Sequence, residues 1–263
     1  MHYSIRYSCI SHIGKVRKIN QDNYICDGQY METNSEPMKS SLCGEKSSKE
    51  ISLFGVFDGM GGEECGEVAS YIAAKDSSAL ELGKDTLSDL SRFCQKANED
   101  ICRYARENEV SSMGTTAAML AFADNSVTLC NIGDSKIFLL SAGKLEQISE
   151  DHVAAAPFGV KPPLSQNLGI PPTEMAISPY LAQGACRDGD IYLICSDGLT
   201  DMVTTEEIAE VLLSKSLEKA CTELLQKALS NGGRDNITII LCKIERESGW
   251  FFKRKRQSEK KEG

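Results

Sequence analysis

Acidic residues stand directly beside short apolar segments at three distant points of the sequence. Asp58 and Asp197 each follow a predicted strand and precede a glycine, whereas Asp235 lies just before another predicted strand. In an antiparallel sheet, strand ends and strand beginnings share an edge, so we expect the three carboxylates to meet at one rim. Because like charges repel and are costly to desolvate, such a cluster needs a cation to hold it together.

Ligands that are all oxygen atoms favour a hard ion, Mg²⁺ or Mn²⁺, over zinc. Gly59 lacks a Cβ and would let the backbone approach an ion, and Gly198 could make a sharp turn after its strand. A single Asp-Gly pair is more often an ordinary turn than a metal site. Repetition of the pattern favours the metal site, and Asp134 and Asp201 stand in similar positions.

Five segments have the composition of strands, because each is short, rich in β-branched or aromatic residues, and bounded by Gly, Asp, Asn or Ser. They are residues 52–57, 126–132, 136–140, 191–195 and 237–244. Alternation of apolar and polar residues is weak in the last two, which indicates strands that are covered on both faces.

Apolar residues spaced by three and four predict helices over residues 87–104 and 217–229. A third helix is expected to begin at Thr204, which forms a capping box with Glu207, and a fourth to cover residues 64–75. The polar segment 32–50 and the proline-rich segment 153–173 are predicted loops. Together with the strands, these elements indicate a sandwich with helices outside it.

The composition is that of a globular protein, with 41% hydrophobic and 25% charged residues. No segment approaches the roughly 20 apolar residues that span a bilayer, and the N-terminus lacks the apolar centre of a signal peptide. We therefore expect a cytoplasmic protein. Its eleven cysteines include no CxxC pair, so we interpret them as reduced core residues rather than a disulfide framework or zinc site.

The net charge of −9 is unevenly distributed along the chain. Residues 253–263 contain six Lys or Arg and two Glu, which gives +4 and leaves −13 for the remainder. An acidic body argues against nucleic acid as the main ligand. We expect residues 247–263 to form a basic, disordered tail, for which contact with an anionic membrane is a less favoured alternative.

Seven sequence elements then occur in the order found in the PPM (type 2C) family of metal-dependent protein phosphatases. They are GKVRKINQDN (14–23), VFDGMGG (56–62), MGTTA (113–117), NIGDSK (131–136), EDH (150–152), ICSDGLTD (194–201) and GGRDNIT (232–238). The resemblance spans roughly residues 8–244 and is closest to bacterial members. It implies an α+β fold, a four-layer α-β-β-α sandwich of two antiparallel sheets flanked by helices, with a phosphatase domain over residues 1–246.

Matching positions also imply roles for individual residues in a binuclear Mg²⁺ or Mn²⁺ centre. Asp58 would bridge the two ions, Gly59 would supply a backbone carbonyl, and Asp197 and Asp235 would complete the second site. Asp22 would hold metal-bound waters. The implied reaction is hydrolysis of phosphoserine and phosphothreonine in proteins by a metal-activated water, without a phosphoenzyme.

Other positions carry further implied roles. Asp134 and Asp201 match the pair that binds a third, weaker ion in the family, although turn chemistry explains them equally well. Arg17 is the candidate for binding the phosphate, because the planar guanidinium can donate hydrogen bonds to two phosphate oxygens at once. Met60 replaces a proton-donating His found in many eukaryotic members, and His152 is interpreted as a structural residue.

A departure from the family pattern affects the flap beside the site. Only residues 153–167 follow the EDH element, so this flap is short and rich in proline. We expect the short flap to open the cleft and to change which phosphoproteins fit.

Two other function classes remain open from the sequence alone. One is a phosphatase-like binding or regulatory module without turnover, and the other is a two-metal hydrolase of nucleotides or nucleic acid. The favoured phosphatase would act, as a monomer, on proteins phosphorylated by a Ser/Thr kinase, and it would not bind nucleic acid.

Overall fold

The computed structural model of the protein describes residues 3–32, 38–60, 65–157 and 159–246. The strands are β1 (Tyr3–His12), β2 (Asp22–Cys26), β3 (Leu42–Ser47), β4 (Ser52–Met60), β5 (Gly114–Thr115), β6 (Ala117–Ala123), β7 (Ser126–Ile132), β8 (Lys136–Ser141), β9 (Lys144–Gln147), β10 (Tyr180–Ala185), β11 (Ile191–Cys195) and β12 (Ile237–Arg246). The helices are α1 (Gly66–Ser78), α2 (Thr86–Glu107), α3 (Asp197–Thr200), α4 (Thr205–Ser214) and α5 (Leu217–Ser230).

Two antiparallel sheets lie face to face. The first has the strand order β3-β1-β12-β11-β8-β9, and the second has the order β10-β7-β6-β4-β2, with β5 paired to β4. Helices α4 and α5 cover the outer face of the first sheet, and α1 and α2 cover the second. The four-layer α-β-β-α sandwich expected from the sequence is therefore confirmed.

Three apolar clusters hold the four layers together. The middle cluster joins the inner faces of the two sheets and includes Phe54, Phe122 and Tyr192, whose rings pack edge to face. Each outer cluster joins one sheet to its helices. Strands β11 and β12 bear buried residues on both faces, which explains why their sequences do not alternate.

All five predicted strands and the periodic helices occur near their predicted positions. The predicted loop over residues 32–50 is wrong at Leu42–Ser47, which is strand β3. This strand lies at a sheet edge and alternates half-buried with exposed residues, so its polar composition resembles that of a loop. The fourth predicted helix begins at Gly66 rather than at residue 64, and residue 64 is outside the described ranges.

The predicted C-terminal tail cannot be compared with the structure, whereas the predicted reduced cysteines can. Residues 247–263, the predicted basic tail, lie outside the described ranges. No disulfide bond joins any of the cysteines, all of which lie in the described ranges, and Cys43 is exposed whereas nine are buried. None of the helices within the described ranges combines the length and apolar composition needed to cross a bilayer.

The N-terminus of α4 offers a test of local stability. Thr204 Oγ1 accepts a hydrogen bond from the Glu207 amide at 3.3 Å, and Glu207 Oε2 accepts one from the Thr204 amide at 3.1 Å. Thr204→Ala removes the first bond and should lower the free energy of unfolding by about 1 kcal/mol. Urea denaturation measures this change. The control Thr205→Ala, one residue into the helix, should remain within about 0.5 kcal/mol of the unchanged protein; equal losses in both variants would contradict the cap.

Candidate metal centre and active site

Strand pairing brings the distant acidic residues to one rim of the sandwich. Asp22 on β2 lies directly opposite Asp58 on β4 in the second sheet. In the first sheet, β11 pairs with β12, so Asp197 just after β11 comes beside Asp235 just before β12. The rim surrounds a cavity of about 310 Å³ whose lining includes Arg17, Gly59, Met60, Lys161, Asp58, Asp134, Asp197 and Asp235.

The backbone around Asp58 is held by the segment between β5 and β6. Thr116 Oγ1 accepts a hydrogen bond from the Asp58 amide at 3.0 Å, while the Thr116 amide donates to the Asp58 carbonyl at 2.9 Å. Ser135, in the turn after β7, bonds in turn to Thr116 Oγ1 at 2.7 Å. The MGTTA and NIGDSK elements therefore position the Asp58 carboxylate without contacting it.

Asp22 forms a buried polar link between the two sheets. Its Oδ2 accepts hydrogen bonds from Ser196 Oγ and Thr238 Oγ1, both at 2.7 Å, and these residues belong to the first sheet or its rim. Asp22 Oδ1 is buried and has no hydrogen-bond partner within the described ranges. The unpartnered oxygen is costly in a protein interior and indicates a missing polar or cationic partner.

Burial dominates the ionisation of several of these carboxyl groups. It raises the pKa of Asp22 to about 7, against the opposing effect of the Thr238 and Ser196 hydroxyls. The pKa of Asp58 is raised well above its usual range by burial and then by the charges of Asp22 and Asp197. Burial likewise raises the pKa of Asp134 and Asp201. The rim is thus a site where negative charge is unfavourable unless a cation is present.

The loop between β1 and β2 carries Arg17 to the cavity. Asn236 Nδ2 donates to the carbonyls of Ile13 and Ile19 at 2.9 and 3.0 Å, and Asn236 Oδ1 accepts from the Gln21 amide. The loop is thereby fastened at both ends, and Arg17 Nη2 lies 2.6 Å from Asp235 Oδ2. This hydrogen bond raises the pKa of Arg17, whose guanidinium remains charged.

A second basic side chain reaches the rim from the proline-rich flap. Lys161 Nζ forms an ion pair with Asp197 Oδ2 and lies 3.5 Å from Asp201 Oδ2. Burial by itself lowers the pKa of Lys161, but the attraction of Asp197 outweighs it and the net pKa is raised. Lys161, Pro162 and Leu164 of the short flap line the cavity, and the more open cleft expected from the length of the flap stays a prediction.

Close packing of the backbone is one reason why glycine occupies positions 59 and 198 at the rim. A Cβ on Gly59 would lie 2.2 Å from the Gly66 carbonyl oxygen and 2.4 Å from that of Gln21. A Cβ on Gly198 would lie 2.0 Å from the Asn236 carbonyl oxygen. Both positions exclude a side chain because neighbouring backbone segments pack against them, so glycine holds the aspartate-bearing segments together.

The carboxylate oxygens at the rim suit hard divalent cations, although they are not already arranged as a set of metal ligands. Within the described ranges, no three His, Cys, Asp or Glu side chains lie close enough together to hold a metal ion. Arg17 and Lys161 instead neutralise Asp235 and Asp197, and Asp58 and Asp134 form no ion pair in the described part of the chain. Carboxylate oxygens, excess negative charge and the unpartnered Asp22 Oδ1 all fit Mg²⁺ or Mn²⁺.

The structure therefore gathers most of the predicted site residues in one place. Asp22 is not among the residues lining the cavity, and Asp201 lines an adjoining cavity of about 190 Å³ together with Asp235. The backbone of His152 donates to the Gly133 carbonyl at 2.9 Å, while its Nδ1 is buried without a partner among the described residues. Sequence reasoning missed Lys161, which carries no signal separable from that of an ordinary surface lysine. The hydroxyls of Thr116, Ser135, Ser196 and Thr238 lie inside the sequence elements quoted above, but their individual roles were not predicted.

The family model for protein phosphatase 2C matches residues 25–157. The serine/threonine phosphatase stp of Listeria monocytogenes is 30% identical over 254 residues, which cover 89% of this chain and 93% of that protein. The chain belongs to the protein phosphatase 2C family. PstP of Mycobacterium tuberculosis is 33% identical over 206 residues, and the chain spans 40% of its length.

Solved structures agree with the fold. The catalytic domain of PstP, crystallised with two manganese ions, gives a TM-score of 0.75 at 29% identity and covers 94% of this chain and 100% of that one. PppA of Pseudomonas aeruginosa gives a TM-score of 0.75 at 25% identity, covering 93% of this chain and 100% of that one. The two-sheet sandwich is thus shared over nearly the whole described chain.

The raised pKa of Asp22 predicts how the stability of the metal-free protein depends on pH. Because the folded pKa of about 7 exceeds the unfolded value near 3.8, folding favours the protonated carboxyl, and this stabilisation is lost as pH rises through 7. Between pH 5 and 8 in a chelator, the unchanged protein should lose roughly 2 kcal/mol more than Asp22→Asn.

Urea denaturation of both proteins at each pH measures the difference. The comparison with Asp22→Asn removes the contribution of the remaining carboxyl groups to the pH dependence. Parallel losses in the two proteins would show that Asp22 is ionised in both the folded and unfolded states.

Proposed function

We propose that this chain hydrolyses phosphoserine and phosphothreonine in proteins with the help of Mn²⁺ or Mg²⁺. The single observation that carries the proposal is the cavity in which four aspartates from both sheets face one loop arginine. An anionic phosphoryl group can enter such a site only if cations offset the carboxylates. Relatives that are named serine/threonine phosphatases, including stp over nearly its whole length, support the same reaction.

The residues that would hold two ions are Asp58, Gly59 through its carbonyl, Asp197 and Asp235. Asp134 and Asp201 would bind a third ion more weakly, and Asp22 would accept hydrogen bonds from waters around the centre. Bound divalent cations supply Lewis acidity to the attacking water and to the phosphoryl oxygens. The manganese ions in the PstP structure support this choice of ion.

Arg17 is proposed to orient the phosphoryl group. In the structure the Arg17 side chain is about half exposed, and its guanidinium pairs with Asp235 at the cavity. A guanidinium has five N–H donors, so others remain for the phosphoryl group. If Asp235 held a cation, the Arg17 guanidinium would be free of this ion pair and could bind two phosphoryl oxygens. Met60 lines the same cavity and cannot transfer a proton, so the leaving oxygen has to take its proton from water.

Several broader expectations belong to the same proposal. Phosphoproteins made by a Ser/Thr kinase would be the substrates, the protein would act as a monomer in the cytoplasm, and residues 1–246 would form the catalytic domain. The acidic composition supports a protein rather than a nucleic-acid substrate. The alternative, a binding module without turnover, is not favoured because each principal carboxylate is present.

Removal of the Asp58 carboxylate tests the catalytic proposal. Asp58→Asn should lower kcat/KM for a phosphothreonine peptide in Mn²⁺ by about a thousandfold or more, because the variant would lose a charged group proposed to hold the ions. Asp197→Asn should behave similarly. Release of inorganic phosphate measures the rate, with and without a chelator.

The matched control is Asp124→Asn, a change in the exposed turn between β6 and β7, which should retain full activity. Hydrolysis by the unchanged protein that persists in the chelator, or that survives Asp58→Asn, would exclude this mechanism. Absence of hydrolysis in every metal would favour the binding module instead.

A separate change tests the role of Arg17. Arg17→Ala should lower kcat/KM about tenfold or more, chiefly through a higher KM, since a charge-assisted hydrogen bond to the phosphoryl group is worth roughly 1.5–3 kcal/mol. Arg17→Lys should recover part of this loss. Arg6→Ala, which removes an exposed arginine paired with Glu245 elsewhere on the first sheet, is the control. An unchanged KM in Arg17→Ala would assign the guanidinium to the ion pair alone.

A further inference from the structure

The flap presents Lys161 to the rim from a hydrogen-bonded base. The Ser165 amide donates to the His152 carbonyl at 2.9 Å, and the Ala154 amide donates to the Pro163 carbonyl at 2.8 Å. Pro162 and Pro163 follow Lys161 directly and restrict the backbone on that side. These contacts fasten the part of the flap that carries Lys161, whose side chain lines the cavity.

The ammonium of Lys161 lies where a cation would be bound. It pairs with Asp197 Oδ2 and lies 3.5 Å from Asp201 Oδ2, and it also interacts electrostatically with Asp134. These three carboxylates are the ones proposed above for the second and third ions. The Lys161 side chain is 55% exposed, whereas that of Asp197 is only 12% exposed, so the lysine reaches in from solvent towards a fixed carboxylate.

We propose that Lys161 is a tethered competitor of the divalent cations that would bind at Asp197 and at its neighbours Asp134 and Asp201. The inference rests on the proposed function of these carboxylates. An ammonium and a divalent cation cannot both contact Asp197 Oδ2 closely, because like charges repel and the oxygen has limited space. Binding of the ion therefore displaces Lys161, and the lysine raises the ion concentration at which this position fills.

Displacement has a second consequence for the site. The released ammonium remains on the flap, beside Pro162 and Leu164 at the cavity mouth, where an anionic phosphoprotein arrives. The same side chain thus offsets the carboxylates before the cation binds and adds positive charge at the entrance afterwards. In a metal-poor solution, it also prevents the uncompensated repulsion of Asp197 and Asp201.

Direct measurement of metal binding tests the proposal without substrate. Lys161→Met keeps the length and apolar stem of the side chain but removes the charge. Isothermal titration of the chelator-treated protein with Mn²⁺ should show a three- to tenfold lower Kd for the weakest ion in Lys161→Met. Lys161→Arg retains the positive charge and should remain within twofold of the unchanged protein.

Two further variants make the result specific. Lys144→Met removes an exposed lysine of β9 that pairs with Glu146, and it should leave the Mn²⁺ affinity unchanged. In an Asp201→Asn background, the gain from Lys161→Met should be smaller, because one of the shared carboxylates is already neutral. An unchanged or weaker Mn²⁺ affinity in Lys161→Met would overturn the proposal.

The outcome is separable from that of the proposed reaction. A lower Kd in Lys161→Met supports the competitor role even if no phosphopeptide is hydrolysed, which would overturn the phosphatase proposal alone. Hydrolysis with an unaltered Kd would do the reverse, because it would support the phosphatase and overturn the competitor role of Lys161.

Discussion

Repulsion between buried carboxylates is the constraint around which this molecule is arranged. Asp22 and Asp58 face each other across one sheet, and Asp197 and Asp235 reach the same rim from the other. Charges gathered in this way are destabilising unless they are paired, hydrogen-bonded or protonated. The structure uses all three means, with basic loops, buried hydroxyls and raised pKa values, before any metal ion is considered.

Rigid surroundings are what keep such a site from collapsing. Asn236 fastens the Arg17 loop, Thr116 fixes the backbone of Asp58, and the rim glycines allow close backbone contact. Asp22 joins the two sheets through Ser196 and Thr238, so one acidic side chain belongs both to the site and to the interface between the layers. Stability and ion binding are therefore coupled at this position, as expected where a site strains its scaffold.

Much of the fold could be predicted because its strands and helices carry strong local signals. The Thr204 capping box and the stripe along α2 are examples, since each depends on residues only three or four apart. Strand β3 was missed because an exposed edge requires little apolar surface. The location of the site could be predicted because its aspartates stand beside strand ends. The ion pair between Lys161 and Asp197 could not, because it depends on the three-dimensional course of the flap, which no local sequence pattern encodes.

The longest ladder of the first sheet joins the beginning of the chain to its far end, with Tyr3 opposite Arg246 and His12 opposite Ile237. Its middle strand β12 is the last of the described chain to leave the ribosome, although it lies at the centre of the sheet. The first sheet therefore cannot close until residues 237–246 have been synthesised, and β1 has to wait for a partner more than two hundred residues away. Such distant pairing slows folding, and it couples the Asp235 end of the rim to the formation of this long-range ladder.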